Sequence, residues 1–149
     1  MRAVRRIGLP VGVALVLVAT VMAGCNLLQY QFCINNLTDY DLTEVNIVSQ
    51  GALSWGANDL TAVLAPGGAE DIKGFSAGTY MVRGVFDVAD GPIFCDEIIN
   101  DELIVVNEGL EITTTNICID YQETLGSLNG ENSKAVICTT IYGAVRFEI

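Results

Sequence analysis

The chain has 149 residues and contains no histidine, so the most common general base and metal ligand of proteins is missing. It carries 18 acidic and seven basic side chains, which gives a net charge of −11. Such a charge repels nucleic acid and anionic lipid head groups, so neither is an expected binding partner.

The beginning of the chain has the pattern of an export signal. Residues 2–6 contain three arginines, and residues 7–21 form an uncharged and mostly apolar run. Small residues then lead to Cys25. A basic start, an apolar run and small residues are typical of a secretory signal that is removed from the mature protein. The alternative is an uncleaved segment that is only just long enough to span a membrane.

Residues 22–25, Met-Ala-Gly-Cys, resemble the lipobox of bacterial lipoproteins. The resemblance implies that residues 1–24 are a signal peptide and that Cys25 becomes the lipid-modified N-terminus, through which the protein is anchored in a membrane. It also implies a place in the bacterial cell envelope, outside the cytoplasm. Asn26 follows the cysteine, and by the same resemblance it favours the outer membrane or cell surface over the inner membrane.

Cleavage at this position leaves residues 25–149 as the mature protein, which is long enough for a single domain with its own core. Its four basic residues are opposed by 18 acidic ones, a net charge of −14. That surface can attract cations or basic partners, although a role in solubility is the simpler interpretation.

The chain has five cysteines, which is an odd number for an exported protein. Lipid attachment at Cys25 leaves Cys33, Cys95, Cys118 and Cys138. Because the sequence has no C-x-x-C spacing and no histidine, two structural disulfides are favoured over a metal or redox site. Of the three possible connectivities, we expect Cys118–Cys138, because a hairpin between their strands would place them nearly opposite each other. Cys33–Cys95 then follows by elimination.

Short stretches in which apolar and polar residues alternate dominate the mature chain, and no helical stripe of useful length is present. We therefore predict an all-β domain, an antiparallel β-sandwich of about seven to nine short strands. In chain order, the predicted strands are residues 30–35, 42–49, 69–75, 79–87, 93–99, 103–106, 110–121 and 134–149, with either a helical turn or a short strand at 60–64 and a polar loop at 122–133.

A segment of this layout carries a second resemblance. Trp55-Gly56 is followed by Leu-Ala-Pro-Gly at residues 64–67 and by Gly-Thr-Tyr at residues 78–80. With this spacing, residues 36–91 resemble a small β-sandwich domain of many uncharacterised bacterial secreted proteins and lipoproteins. The resemblance implies the fold and export, and it assigns no catalytic or binding residue.

Trp55, Asp87 and Asp90 are the candidates for a binding site. A loop tryptophan can stack on a sugar or anchor a partner, although it more often caps a core. Loop carboxylates suit calcium, but no EF-hand spacing is present. Asn36 begins an Asn-Leu-Thr glycosylation motif that is expected to be a turn. No nucleophile motif or phosphate loop occurs, so we expect neither enzymatic activity nor a cofactor.

We therefore predict a lipid-anchored extracytoplasmic lipoprotein with a non-enzymatic, interaction or structural role. Its protein or glycan partner is not identified by the sequence. The alternative is a small ligand-binding module for carbohydrate or calcium, based on Trp55 and the acidic segment.

Overall fold

The computed structural model describes residues 29–129 and 134–148, so the predicted signal and Cys25 lie outside the described residues. Within these ranges the chain forms eight strands and no helix, which confirms the all-β prediction. It follows that no helix in the described part of the chain could cross a membrane. The strands are β1 (Tyr30–Asn36), β2 (Asp41–Ser49), β3 (Ala69–Phe75), β4 (Gly78–Asp87), β5 (Ile98–Ile99), β6 (Glu102–Ile112), β7 (Asn116–Asn129) and β8 (Ala135–Glu148).

The strands form two four-stranded sheets that face each other as a sandwich. The first sheet has the order β3-β1-β7-β8 and the second the order β2-β4-β6-β5. β1 and β7 run parallel, and the other pairings between these strands are antiparallel. After β3 has paired with one edge of β1, the chain completes the second sheet and only then adds β7 parallel to β1 at its other edge. A parallel neighbour requires such a long crossover. The first sheet is therefore mixed rather than purely antiparallel.

The core lies between the sheets and takes the inward-facing residues of each strand. Phe32 and Ile34 of β1 are fully buried, as the predicted alternation requires. Across the core, the ring of Phe86 meets the ring of Tyr121 edge to face, with centroids 5.1 Å apart. Gly84 admits the same tyrosine, because a Cβ atom at this position would lie 2.7 Å from the Tyr121 hydroxyl. The absence of a side chain at Gly84 therefore leaves the space between the sheets that the Tyr121 ring occupies.

Three predicted elements differ from the structure. The loop predicted at 122–133 is wrong for residues 122–129, which continue β7 and pair with β8. These residues extend beyond the sandwich, so they lack the apolar alternation of a strand that packs on a core. The strand predicted at 110–121 is divided between β6 and β7, and only residues 98–99 of the predicted strand 93–99 form β5.

The outer edge of β2 is covered by the loop that follows it. The side-chain oxygen of Asn58 accepts a hydrogen bond from the Val45 N–H at 3.0 Å, and the Asp59 carboxylate accepts one from the Ile47 N–H at 2.7 Å. Further along the loop, Leu64 pairs with β2 in an isolated bridge rather than a helical turn. An edge whose N–H groups are occupied in this way is protected from pairing with another chain.

The Asn-Leu-Thr motif forms a turn, as expected. The Asn36 side chain is fully buried and donates hydrogen bonds to the carbonyl groups of Tyr40 at 2.7 Å and Leu64 at 2.8 Å. Its amide oxygen accepts a hydrogen bond from the Thr38 hydroxyl at 2.7 Å. All of the polar atoms of this amide therefore serve the turn, and none is presented to solvent.

Candidate functional site

The four cysteines after Cys25 form two disulfides, as predicted, but the expected pairs are wrong. The bonds join Cys33 to Cys118, with Cα atoms 4.5 Å apart, and Cys95 to Cys138, with Cα atoms 5.1 Å apart. The first bond links residues that are 85 positions apart in the sequence, so it closes most of the domain into one loop.

The position of the β7–β8 turn explains the incorrect pairing. Cys118 lies opposite Arg146 and Cys138 lies opposite Gly126, so the two cysteines are eight positions apart along the hairpin. At a strand rise of about 3.3 Å per residue, that separation is about 26 Å. Because β1 runs parallel to β7, Cys33 lies directly opposite Cys118 instead.

The second disulfide fixes a connecting segment to the edge of β8. The Thr139 N–H donates to the Ile93 carbonyl at 2.8 Å, and the Cys95 N–H donates to the Thr139 carbonyl at 2.9 Å. A Cβ atom at Gly126 would lie 3.0 Å from the Cys95 sulfur and 3.8 Å from the Cys138 sulfur. The glycine therefore leaves the space that this disulfide occupies.

Trp55 lies outside the core and covers the outer face of the second sheet. Its half-buried ring stacks against the Arg83 guanidinium, whose central carbon is 5.5 Å from the ring centroid, a cation–π distance. Arg83 also donates to the Asn46 side-chain oxygen at 2.9 Å and to the Glu44 carboxylate at 2.8 Å. One face of the indole is therefore taken by an arginine that is itself held in place, which leaves the opposite face for any stacked ligand.

Asp87 and Asp90 lie together at one end of the sandwich. With Asp39 and Asp41 they line a shallow depression of about 340 Å³. Among the described residues, no three of these carboxylates bring their oxygens close enough to share an ion. In the described part of the chain, the possible metal ligands that do converge are Cys33, Cys118 and Glu148 on the first sheet, but the two sulfurs of this group are bonded to each other.

Tyr40 lines the same acidic depression. Burial raises the pKa of its hydroxyl, and the negative charges of Glu123 and Asp39 raise it further. The Glu123 carboxylate also accepts a hydrogen bond from the Asp39 N–H at 2.5 Å, next to a second depression of about 480 Å³ that includes Leu37. The Tyr40 phenol is therefore held in its neutral form beside the carboxylates that give this end of the sandwich its negative charge.

An ion pair on the outer face of the first sheet was not anticipated from the sequence. The Arg146 guanidinium donates to both oxygens of Asp120, at 2.5 and 3.0 Å, and the Asn35 amide donates to the same carboxylate at 2.7 Å. The Arg146 hydrogen bonds are the main reason that the pKa of Asp120 is lowered. Asp120 and Arg146 meet only because of the register in which β7 pairs with β8. The alternation of apolar and polar residues in the sequence does not predict that register.

Comparisons with models of protein families, with curated proteins and with solved structures found no match for this chain. The functional interpretation is therefore based on the arrangement of the side chains in the structure. In the part of the chain that the structure describes, the prominent features are two disulfides, an acidic end and a projecting hairpin with exposed apolar side chains.

Proposed function

We propose that this protein is a lipid-anchored, extracytoplasmic β-sandwich module of the bacterial cell envelope, with a non-enzymatic, interaction or structural role. The observation that carries the proposal is the cysteine pairing. The two disulfides account for every cysteine of the sequence except Cys25, the residue at the end of the lipobox-like segment. A lipid on Cys25 would leave no thiol to react in an oxidising compartment.

The disulfides also support export. Disulfides persist in the periplasm and at cell surfaces, whereas the cytosol keeps thiols reduced. Both bonds here join distant segments, with sequence separations of 85 and 43 residues. Constraints of this length stabilise a small domain chiefly by restricting its unfolded chain. This geometry therefore favours a structural role for the two disulfides, which would stabilise the fold outside the cytoplasm.

The direction of β1 supports a defined orientation at the membrane. Cys25 precedes Tyr30, the first residue of β1, by five residues, which can span at most about 18 Å. β1 runs parallel to β7, so it begins beside the beginning of β7 and far from the β7–β8 turn. A lipid on Cys25 would therefore hold this end of the sandwich near the membrane and direct the hairpin away from it.

The surface chemistry supports an interaction or structural role rather than catalysis. Hydrolytic chemistry by carboxylates requires two of them to be set on either side of a substrate. The acidic residues around Asp87 instead line an open depression with a neutral Tyr40. The Trp55 ring is stacked on Arg83. What the molecule offers to partners is its projecting hairpin.

Cell fractionation tests the proposal with the full chain expressed in a bacterial host. We expect the wild-type protein in the membrane fraction, resistant to high salt and released by detergent. Cys25→Ala should appear in the soluble extracytoplasmic fraction, while the control Asn26→Ala should remain with the membrane. Wild-type protein in a soluble fraction, or Cys25→Ala that still requires detergent for release, would contradict the proposal.

A further inference from the structure

The end of the β7–β8 hairpin projects beyond the sandwich and is apolar on both faces. We call it the hairpin arm and define it as residues 124–129 of β7 and 135–138 of β8. Leu125 and Ile137 lie on one face, with 74% and 71% of their surfaces exposed. Leu128 and Val136 lie opposite each other on the other face and are also exposed. The arm contains no charged side chain, in a protein with a net charge of −11.

The arm also has an open backbone edge. β1 pairs with β7 only as far as Tyr121, whose carbonyl accepts a hydrogen bond from the Leu37 N–H at 2.9 Å. Beyond this point, no strand of the described ranges pairs with that edge of β7. Peptide groups alternate between the two edges of a strand. The N–H and C=O groups of Leu125 and Ser127 therefore point to the same open edge as the Tyr121 carbonyl.

The partner strand β8 confirms this direction. Thr139 lies opposite Leu125, and its N–H and C=O groups bond to residues 93–95, away from β7. In an antiparallel pair, residues that do not bond to each other direct their peptide groups outward on both sides. Leu125 therefore directs its own peptide groups outward, as Thr139 does.

We propose that the open edge of the hairpin arm pairs antiparallel with the same edge of a second copy of this chain. An exposed apolar edge without charge or proline is the kind of strand that adds to another sheet. A two-fold axis at Gly126 places Leu125 opposite Ser127 of the second copy, with both peptide groups directed at each other. The same axis places Glu123 opposite Asn129, so no two carboxylates face each other in this register. The inference rests on the proposed interaction role but does not require the lipid.

The charges of the chain favour a second copy as the occupant. The net negative charge of the chain makes identical molecules repel each other, whereas the uncharged arm adds nothing to that repulsion. Antiparallel pairing also brings the exposed Lys134 at the tip of one arm toward Glu123 and Asp39 at the base of the other. The two groups would be about two strand spacings apart, roughly 10 Å, which is close to the screening length in cells. The arm points away from the end of the sandwich where β1 begins at Tyr30, the end that the proposed lipid would hold at the membrane, so a membrane surface is a poor occupant.

Photo-crosslinking of the full chain in its bacterial host tests the proposal. A photoreactive benzoylphenylalanine replaces Leu125, and the control probe replaces Leu53, a loop residue with 104% exposure far from the arm in sequence. We expect a product of twice the mass from position 125, containing only this chain by mass spectrometry, and none from position 53. Cross-links only to other proteins, no product, or an equal product from position 53 would overturn the proposal.

Ser127→Pro is the matched variant, because proline removes an N–H from the open edge but none from the β7–β8 ladder. It should reduce the cross-link at least about tenfold, while Ser127→Ala should leave it unchanged. A second variant, Leu125→Lys with the probe at Leu128, tests the same edge without altering the backbone. Both variants must retain the two disulfides in non-reducing peptide maps. A cross-link that survives both changes would contradict edge pairing.

The mass of the lipid is measured in the same samples. Lipidated protein that forms no cross-linked dimer would refute the self-association and leave the proposed anchoring intact. Dimer formation by protein without lipid would refute the anchoring and leave the self-association intact.

Discussion

Gly126 lies directly opposite Cys138 in the β7–β8 ladder, and its missing side chain leaves room for the disulfide that Cys138 forms. The other sulfur of this bond, from Cys95, would be 3.0 Å from a Cβ atom at Gly126. A glycine in a strand often marks such a close approach. Here it allows the segment before β5 to be fixed to the edge of β8.

Gly126→Val should therefore destabilise the protein. The added side chain must displace the disulfide or the strand, and overpacking of this kind costs about 1–3 kcal/mol. Ser127→Val is the control, because Ser127 is exposed on the other face of the same strand and its replacement should change the free energy of unfolding by less than about 0.5 kcal/mol. Urea denaturation measures both. Equal stability of Gly126→Val and the wild type would show that the glycine is not required.

Removal of the Cys33–Cys118 disulfide should lower the free energy of unfolding by about 2–4 kcal/mol, because the unfolded chain regains the freedom that this long loop had lost. The double variant Cys33→Ala with Cys118→Ala is compared with the wild type by thermal and urea denaturation. Non-reducing peptide mapping of the wild type provides the direct check on connectivity. A peptide that joins Cys118 to Cys138 would contradict the structure.

Tyr121→Phe should preserve or increase stability, which is unusual for a fully buried tyrosine. Its hydroxyl has no hydrogen-bond partner among the described residues, and burial raises the pKa of this phenol. Loss of an unsatisfied buried hydroxyl is expected to be neutral or to stabilise by up to about 1 kcal/mol. Tyr30→Phe is the control, because that hydroxyl donates to the Thr113 carbonyl at 2.9 Å and its removal should not stabilise. A loss of more than about 1 kcal/mol in Tyr121→Phe would indicate an additional partner for the hydroxyl.

The ion pair between Asp120 and Arg146 should make stability depend on pH in the acid range. Because Arg146 lowers the pKa of Asp120 in the folded protein, the carboxylate stabilises the fold above its ordinary pKa of about 3.9. This contribution is lost as the pH falls below that value, because protonation then favours the unfolded chain. Asp120→Asn should cost about 1 kcal/mol at neutral pH, since Arg146 is half exposed.

A double-mutant cycle checks this assignment. The coupling between Asp120→Asn and Arg146→Met should be largest at neutral pH and should decrease in acid as the pH falls below about 3.9, because protonation removes the charge of Asp120. A coupling that is the same at neutral pH and in acid would indicate that packing, rather than charge, links these residues.

Local alternation was sufficient to predict strands that pack on the core. The prediction for residues 30–35 and 42–49 matches β1 and β2, because the core removes every second side chain from water. It failed at residues 122–129, because their side chains are exposed or only partly buried on both faces of β7 and no apolar alternation is required there. The disulfide pairs failed for a related reason. Cys33 meets Cys118 only through a parallel pairing between distant strands, which no local pattern encodes.

The candidate site was predictable to a similar extent. The spacing of Asp87 and Asp90 along one acidic segment indicated that they lie near each other, and they do line a common depression. Their neighbours Asp39 and Asp41 come from another part of the chain, so the sequence did not connect the two pairs. Trp55 was recognised as a loop residue, but its contact with Arg83 depends on the register between β2 and β4.

The most direct test of a lipid-anchored envelope module is the intact mass of the full-length gene product after extraction from bacterial membranes with detergent. We predict a chain that begins at Cys25, carries two disulfides and has the added mass of fatty acyl groups. Cys25→Ala should carry no acyl mass. A wild-type protein that retains residues 1–24, or that begins at Cys25 without acyl groups, would contradict the account.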